Sequence, residues 1–88
     1  MEITMEQISE ITGIRIEVLI FATEMERKLR ANDGKGGWNE CSANWLMDRL
    51  NEERKELINA CSSGNRRRII NECADVANFA MMISDNVK

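Results

Sequence analysis

The chain has 88 residues, 15 acidic and 12 basic side chains, no histidine, no proline and three cysteines. That length makes one small domain, residues 1–88, with a modest core, and a net charge of −3 lacks the basic excess that nucleic-acid binding requires. Without histidine the usual proton shuttle near neutral pH is missing, so any chemistry must use carboxylates, lysine or water activated by a metal.

Leu, Ile, Met, Ala, Glu, Lys and Arg dominate, which favours helix over strand. No apolar run reaches the ~18 residues of a membrane span, and no basic-then-apolar signal pattern opens the chain. Cys41, Cys61 and Cys73 form no CxxC pair and suit reduced thiols. A cytoplasmic helical domain without a membrane partner is expected.

The elements follow from periodicity and punctuation. "MEQISEITGI" (5–14) predicts a short N-terminal helix that breaks at Thr12–Gly13. Ile14, Val18, Phe21, Ala22, Met25 and Leu29 recur at helical spacing and predict a first long helix over 15–31. "ANDGKGGWNE" holds three of the five glycines, so 32–41 is a loop. Ser42 can cap a second long helix over 42–62, and a third runs over 65–86 after the turn at "CSSGN". The fold class is all-α, with antiparallel helices.

The second long helix carries an anomaly. Leu46, Leu50, Leu57 and Cys61 mark its inward stripe, and helical spacing puts Glu53 on that stripe. Glu56 lies one turn on and slightly aside, while Glu52 falls towards the opposite edge. "CADVANFAMMI" (73–83) in the third helix is apolar nearly all round, which predicts burial on most sides, yet Glu72 and Asp75 sit within it. A buried carboxylate must protonate, pair or bind metal. The bases of this helix, Arg66, Arg67, Arg68 and Lys88, lie at its ends.

Helices joined by a short turn lie antiparallel and adjacent. Positions 56 and 72 are equally far from residue 64, and 53 and 75 lie one turn beyond. Glu53, Glu56, Glu72 and Asp75 can therefore converge. An all-oxygen ligand set suits a hard cation such as Mg²⁺, with Mn²⁺ able to substitute, and Mg²⁺ of this kind usually shares its shell with substrate phosphates.

"EERKE" (52–56) followed by "ECAD" (72–75) resembles the EExxE…ExxD signature of the MazG-like all-α nucleoside triphosphate pyrophosphohydrolases, over about residues 20–86. The resemblance implies hydrolysis of (d)NTP to monophosphate and pyrophosphate, with nucleotide-pool housekeeping as a role. It implies Mg²⁺ held by Glu53, Glu56, Glu72 and Asp75, with Glu52 or Glu53 orienting or deprotonating the attacking water. "KGGW" (35–38) also resembles small MazG-like proteins, where Lys35 would meet phosphate and Trp38 would border the base. The helices the family often places after the paired acidic motif are expected to be absent or supplied by another subunit.

Each residue has a plainer role to set beside this. Glu52, Glu53 and Glu56 could form a solvated face with Arg54 and Lys55. Asn78 could bind sugar or phosphate, or satisfy a buried backbone group. Trp45 is expected to pack on its own helix, and Met81 and Met82 in a core or subunit interface. "GKGG" lacks the GK[ST] ending and preceding strand of a phosphate-cradling loop.

Two alternatives belong to other classes. "MEQISEITGI" with "RIEVLIF" has the outline of a helix-turn-helix, but residues 1–20 carry four acids against Arg15 alone, so nucleic acid is not the expected partner. A non-catalytic helical interaction module is the other. The apolar third helix exceeds what two neighbours can cover, so a homodimer or homotetramer is expected to complete a four-helix bundle.

Overall fold

A computed structural model describes residues 2–87 and contains four α-helices and one short 3₁₀ turn. They are α1 (Met5–Thr12), α2 (Ile16–Ala31), α3 (Ala43–Ser63) and α4 (Arg66–Asn86), with the 3₁₀ turn at Asp33–Lys35. There is no strand among the described residues, and the class is all-α. No helix is long and apolar enough to cross a membrane.

The helix ends are set by local chemistry. Thr4 and Gln7 form a reciprocal capping box on α1, each side chain accepting from the other's backbone N–H. Gly13 closes α1 in the left-handed conformation at φ 74°, which accounts for the break at this position. Ser42 accepts from the Trp45 N–H to start α3, and Asn65 accepts from the Arg68 N–H to start α4. Between them Gly64, at φ 69°, turns the chain within two residues and forces α3 and α4 into an antiparallel pair.

α4 packs most extensively on α3 and next on α2, while α1 touches α2 alone. Leu46, Ala60 and Ala74 are wholly buried. Leu46, Glu53 and Ala60 are spaced by seven residues, which returns each to nearly the same helix face. Glu53 therefore lies midway along the most buried line of α3. Cys61, expected on that stripe, is exposed; Ala60 takes its place because the buried line runs through Leu46 and Ala60.

α4 departs from the expected near-complete burial. Only Ala74 and Asn78 are fully buried in the single chain, and most of residues 69–83 are half-buried. Val18, Ile20, Met47 and Ile58 are about half exposed. The three arginines that open α4 face the positive end of its dipole. Arg67 is compensated across the bundle by Glu24 of α2 at 2.9 Å, and its guanidinium holds the Glu24 carboxyl below its ordinary range. Arg27 adds bonds to Glu24 and to Asn71, tying α2 to the first half of α4.

Candidate active site

The antiparallel α3–α4 pair brings one ligand oxygen each from Glu53, Glu72 and Asp75 within 4.8 Å of one another. All three residues are half-buried. Glu53 comes from the buried line of α3; Glu72 and Asp75 are one turn apart on α4 and share a face. Burial pushes the Glu53 carboxyl above its ordinary value, and the neighbouring charges of Asp75 and Glu72 push it the same way. One oxygen of Glu72 is buried without a hydrogen-bond partner.

Glu56 does not join this trio. It is exposed, on the outer side of Glu53, because a step of three residues on a helix turns it about 60° away. Glu52 is also outside; its side chain is 58% exposed and bound by Arg49. Of the four acids expected to converge, three do.

The cations come from helices that the α4 sequence does not reveal. Lys28 of α2 lies 3.3 Å from Asp75, and Arg49 of α3 lies 3.3 Å from Glu53 while also holding Glu52. The bases of α4 itself lie at its start, and Lys28 and Arg49 enter instead from the two helices packed against it. Arg49 is held over the ring of Phe79, 5.6 Å from its centre.

Beside the trio opens a cavity of about 430 Å³, within the size range of small-ligand sites. Glu53, Asp75 and Asn78 line one part, and Lys28, Arg49 and Lys35 contribute positive charge. Gly36, Gly37, Trp38, Trp45 and Phe79 supply backbone and aromatic surface. Lys35 and Trp38 thus reach the cavity, carried by the glycine loop. The Trp38 indole donates to Asp85 at 3.0 Å, and the Asn86 amide donates to the Trp38 carbonyl at 3.0 Å. These bonds pin the loop to the far end of α4.

Asn78 is 4% exposed and donates its amide to the Met25 carbonyl at 3.0 Å, leaving its side-chain oxygen without a partner. A backbone group is satisfied on one side and an acceptor remains on the other. Trp45, expected to pack on its helix, is 51% exposed and lines the cavity instead. Its position one residue before buried Leu46 was the available signal, since about 100° of rotation carries it off the core face.

The cavity joins an all-oxygen carboxylate trio to cationic and aromatic walls, an arrangement suited to a metal, phosphates and a flat ring. No curated protein and no solved structure matches the chain. Residues 23–86 match the family model of phosphoribosyl-ATP pyrophosphohydrolase, a span that contains the trio, the glycine loop and all of α3 and α4. The chain therefore belongs to the phosphoribosyl-ATP pyrophosphohydrolase family, within the MazG-like all-α nucleotide pyrophosphohydrolases, and is a hydrolase of that class.

Proposed function

We propose that this protein is a Mg²⁺-dependent nucleoside triphosphate pyrophosphohydrolase, converting (d)NTP to (d)NMP and pyrophosphate, with Glu53, Glu72 and Asp75 as metal ligands. The observation that carries this reading is the trio of carboxylate oxygens within 4.8 Å, bordering a cavity lined by Lys28, Lys35 and Arg49. Opposed ligand oxygens around Mg²⁺ stand about 4.2 Å apart, twice the ~2.1 Å bond length, so small side-chain adjustments fit the trio to Mg²⁺ or Mn²⁺. The unpartnered Glu72 oxygen is the kind of buried acceptor that a cation satisfies. When bound, such an ion neutralises phosphate charge and makes water more acidic.

The residues divide the remaining work. Lys35 meets phosphate from the loop, and Trp38 and Trp45 border the base. Asn78 borders the cavity with one amide N–H bonded to the Met25 carbonyl and with an unpartnered side-chain oxygen, which a sugar hydroxyl or a water can satisfy. Glu53, half-buried beside Glu72 and Asp75, is better placed than exposed Glu52 to orient the attacking water. Water adds at phosphorus, the α–β anhydride bond breaks, and pyrophosphate leaves. Glu56, exposed and outside the trio, is assigned no ligand role.

The family match favours a second substrate, phosphoribosyl-ATP, whose triphosphate would present the same anhydride to the same carboxylates. Turnover of each canonical NTP and dNTP and of phosphoribosyl-ATP, with Mg²⁺ or EDTA, separates the two. Metal-dependent release of pyrophosphate and a monophosphate product supports the reaction, and the preferred substrate chooses between readings. No release from any of them contradicts both.

A homodimer or homotetramer belongs to this proposal, since among the described residues only three apolar side chains are fully buried while Val18, Ile20, Met47 and Ile58 stand open. A reducing, cytoplasmic setting is consistent with three free thiols. Nucleotide-pool housekeeping is the role that a small enzyme of this kind would serve.

A further inference from the structure

Two side-chain cations stand where the carboxylate trio would meet a metal. Lys28 holds Asp75 and Arg49 holds Glu53, each at 3.3 Å. Together they bring the positive charge of one divalent ion. Glu72, the third member, has no ion-pair partner among the described residues and keeps one buried oxygen unsatisfied. Asn78, 4% exposed with an unpartnered oxygen, lines the same cavity and marks it independently as a site for a polar ligand.

The two cations differ in how they are held. Arg49 is also bound by Glu52 and lies against Phe79, so it stays at the cavity wall if Glu53 turns away. Lys28 pairs with Asp75 alone among the described residues, on a long, flexible stem. Once Asp75 is taken by a cation, Lys28 is a free ammonium group facing the cavity. A partly buried charge released in this way requires a new counterion.

We propose that Lys28 and Arg49 are exchangeable counterions: they hold Asp75 and Glu53 until a divalent cation takes those carboxylates, and then bind the phosphates of the nucleotide. This rests on the metal-dependent reading above. Its signature is a pair of opposite effects. Removing Lys28 removes a competitor for Asp75, so metal binds more tightly; it also removes a phosphate ligand, so nucleotide binds less well. A lysine that merely braces α2 against α4 would weaken both.

Mn²⁺ alone, titrated without nucleotide and followed by the electron paramagnetic resonance of the free ion, reads the first effect. Lys28→Met should bind Mn²⁺ at least about fivefold more tightly than wild type, because a nearby positive charge is gone. Its KM for the nucleotide that wild type turns over best should rise about tenfold, as expected for a lost charge-assisted phosphate contact. Lys28→Arg, which keeps the charge, should restore both values towards wild type. A folded Lys28→Met that binds Mn²⁺ no more tightly overturns the exchange. Should Lys28→Met not fold, Arg49→Gln takes the same titration with the same expected and overturning results. Wild-type protein that binds no Mn²⁺ overturns the metal reading itself, and the exchange with it.

Discussion

The indole nitrogen of Trp38 donates to the Asp85 carboxylate at 3.0 Å, joining two residues 47 positions apart in the chain. Asn86 adds two bonds from its amide, to the carbonyls of Trp38 and Cys41. A loop with glycines at 34, 36 and 37 loses much entropy on ordering, and these bonds offset it. They also fix Trp38 where the base would lie. Asp85→Ala and Asn86→Ala should each raise KM about two- to tenfold, the effect of one lost hydrogen bond, with kcat little changed. Steady-state kinetics on the two variants checks this; an equal fall in kcat would mean the bonds serve the chemical step instead.

Glu53 predicts a pH dependence of stability in the metal-free protein. Burial, then Asp75 and Glu72, raise its carboxyl above the ordinary 4.5. A native group with a raised pKa binds its proton more tightly than the unfolded chain does. Its contribution to stability is present below 4.5 and is lost as pH rises through the raised native value. Glu53→Gln removes that loss. In EDTA at neutral pH its Tm should exceed that of wild type. A lower Tm would mean that the Arg49 pair outweighs the repulsion.

Much of this was legible in the sequence for local reasons. Thr12–Gly13, the glycine loop, Ser42 and Gly64–Asn65 punctuate the helices through caps and left-handed turns that need only neighbouring residues. Glu53, Glu72 and Asp75 could be brought together by counting from Gly64, since a two-residue turn fixes the relative height of the flanking helices. Glu56 shows the limit of that count, which gives height but not the rotation that leaves position 56 outside. Arg49 and Glu53, four residues apart on α3, form a pair that helical spacing alone allows, whereas Lys28 was not legible as the partner of Asp75 because the tilt of α2 against α4 is set by packing, not by chain proximity. Trp38–Asp85 depends on the same kind of long-range closure.

Asn78 ties α4 to α2 through the Met25 carbonyl. Asn78→Ala removes that hydrogen bond between α4 and α2, at a cost of about 0.5–1.5 kcal/mol. Chemical denaturation should register this loss in the absence of any ligand. Stability equal to wild type would mean that water replaces the amide.

Leu46 is wholly buried in a core whose other fully buried apolar residues are two alanines. Leu46→Ala should cost about 2–5 kcal/mol, a large fraction of what so small a domain has. Urea denaturation measures it, and a loss below about 1 kcal/mol would contradict the burial.

The most direct measurement is the turnover of Asp75→Asn with Mg²⁺, alongside its far-ultraviolet circular dichroism. The substitution keeps the size of the side chain and removes its charge from the trio of Glu53, Glu72 and Asp75. If those carboxylates hold the metal, turnover should fall by about a thousandfold, roughly 4 kcal/mol of lost transition-state stabilisation, with helix content unchanged. Turnover close to wild type in a folded Asp75→Asn protein would contradict a metal site built on these residues.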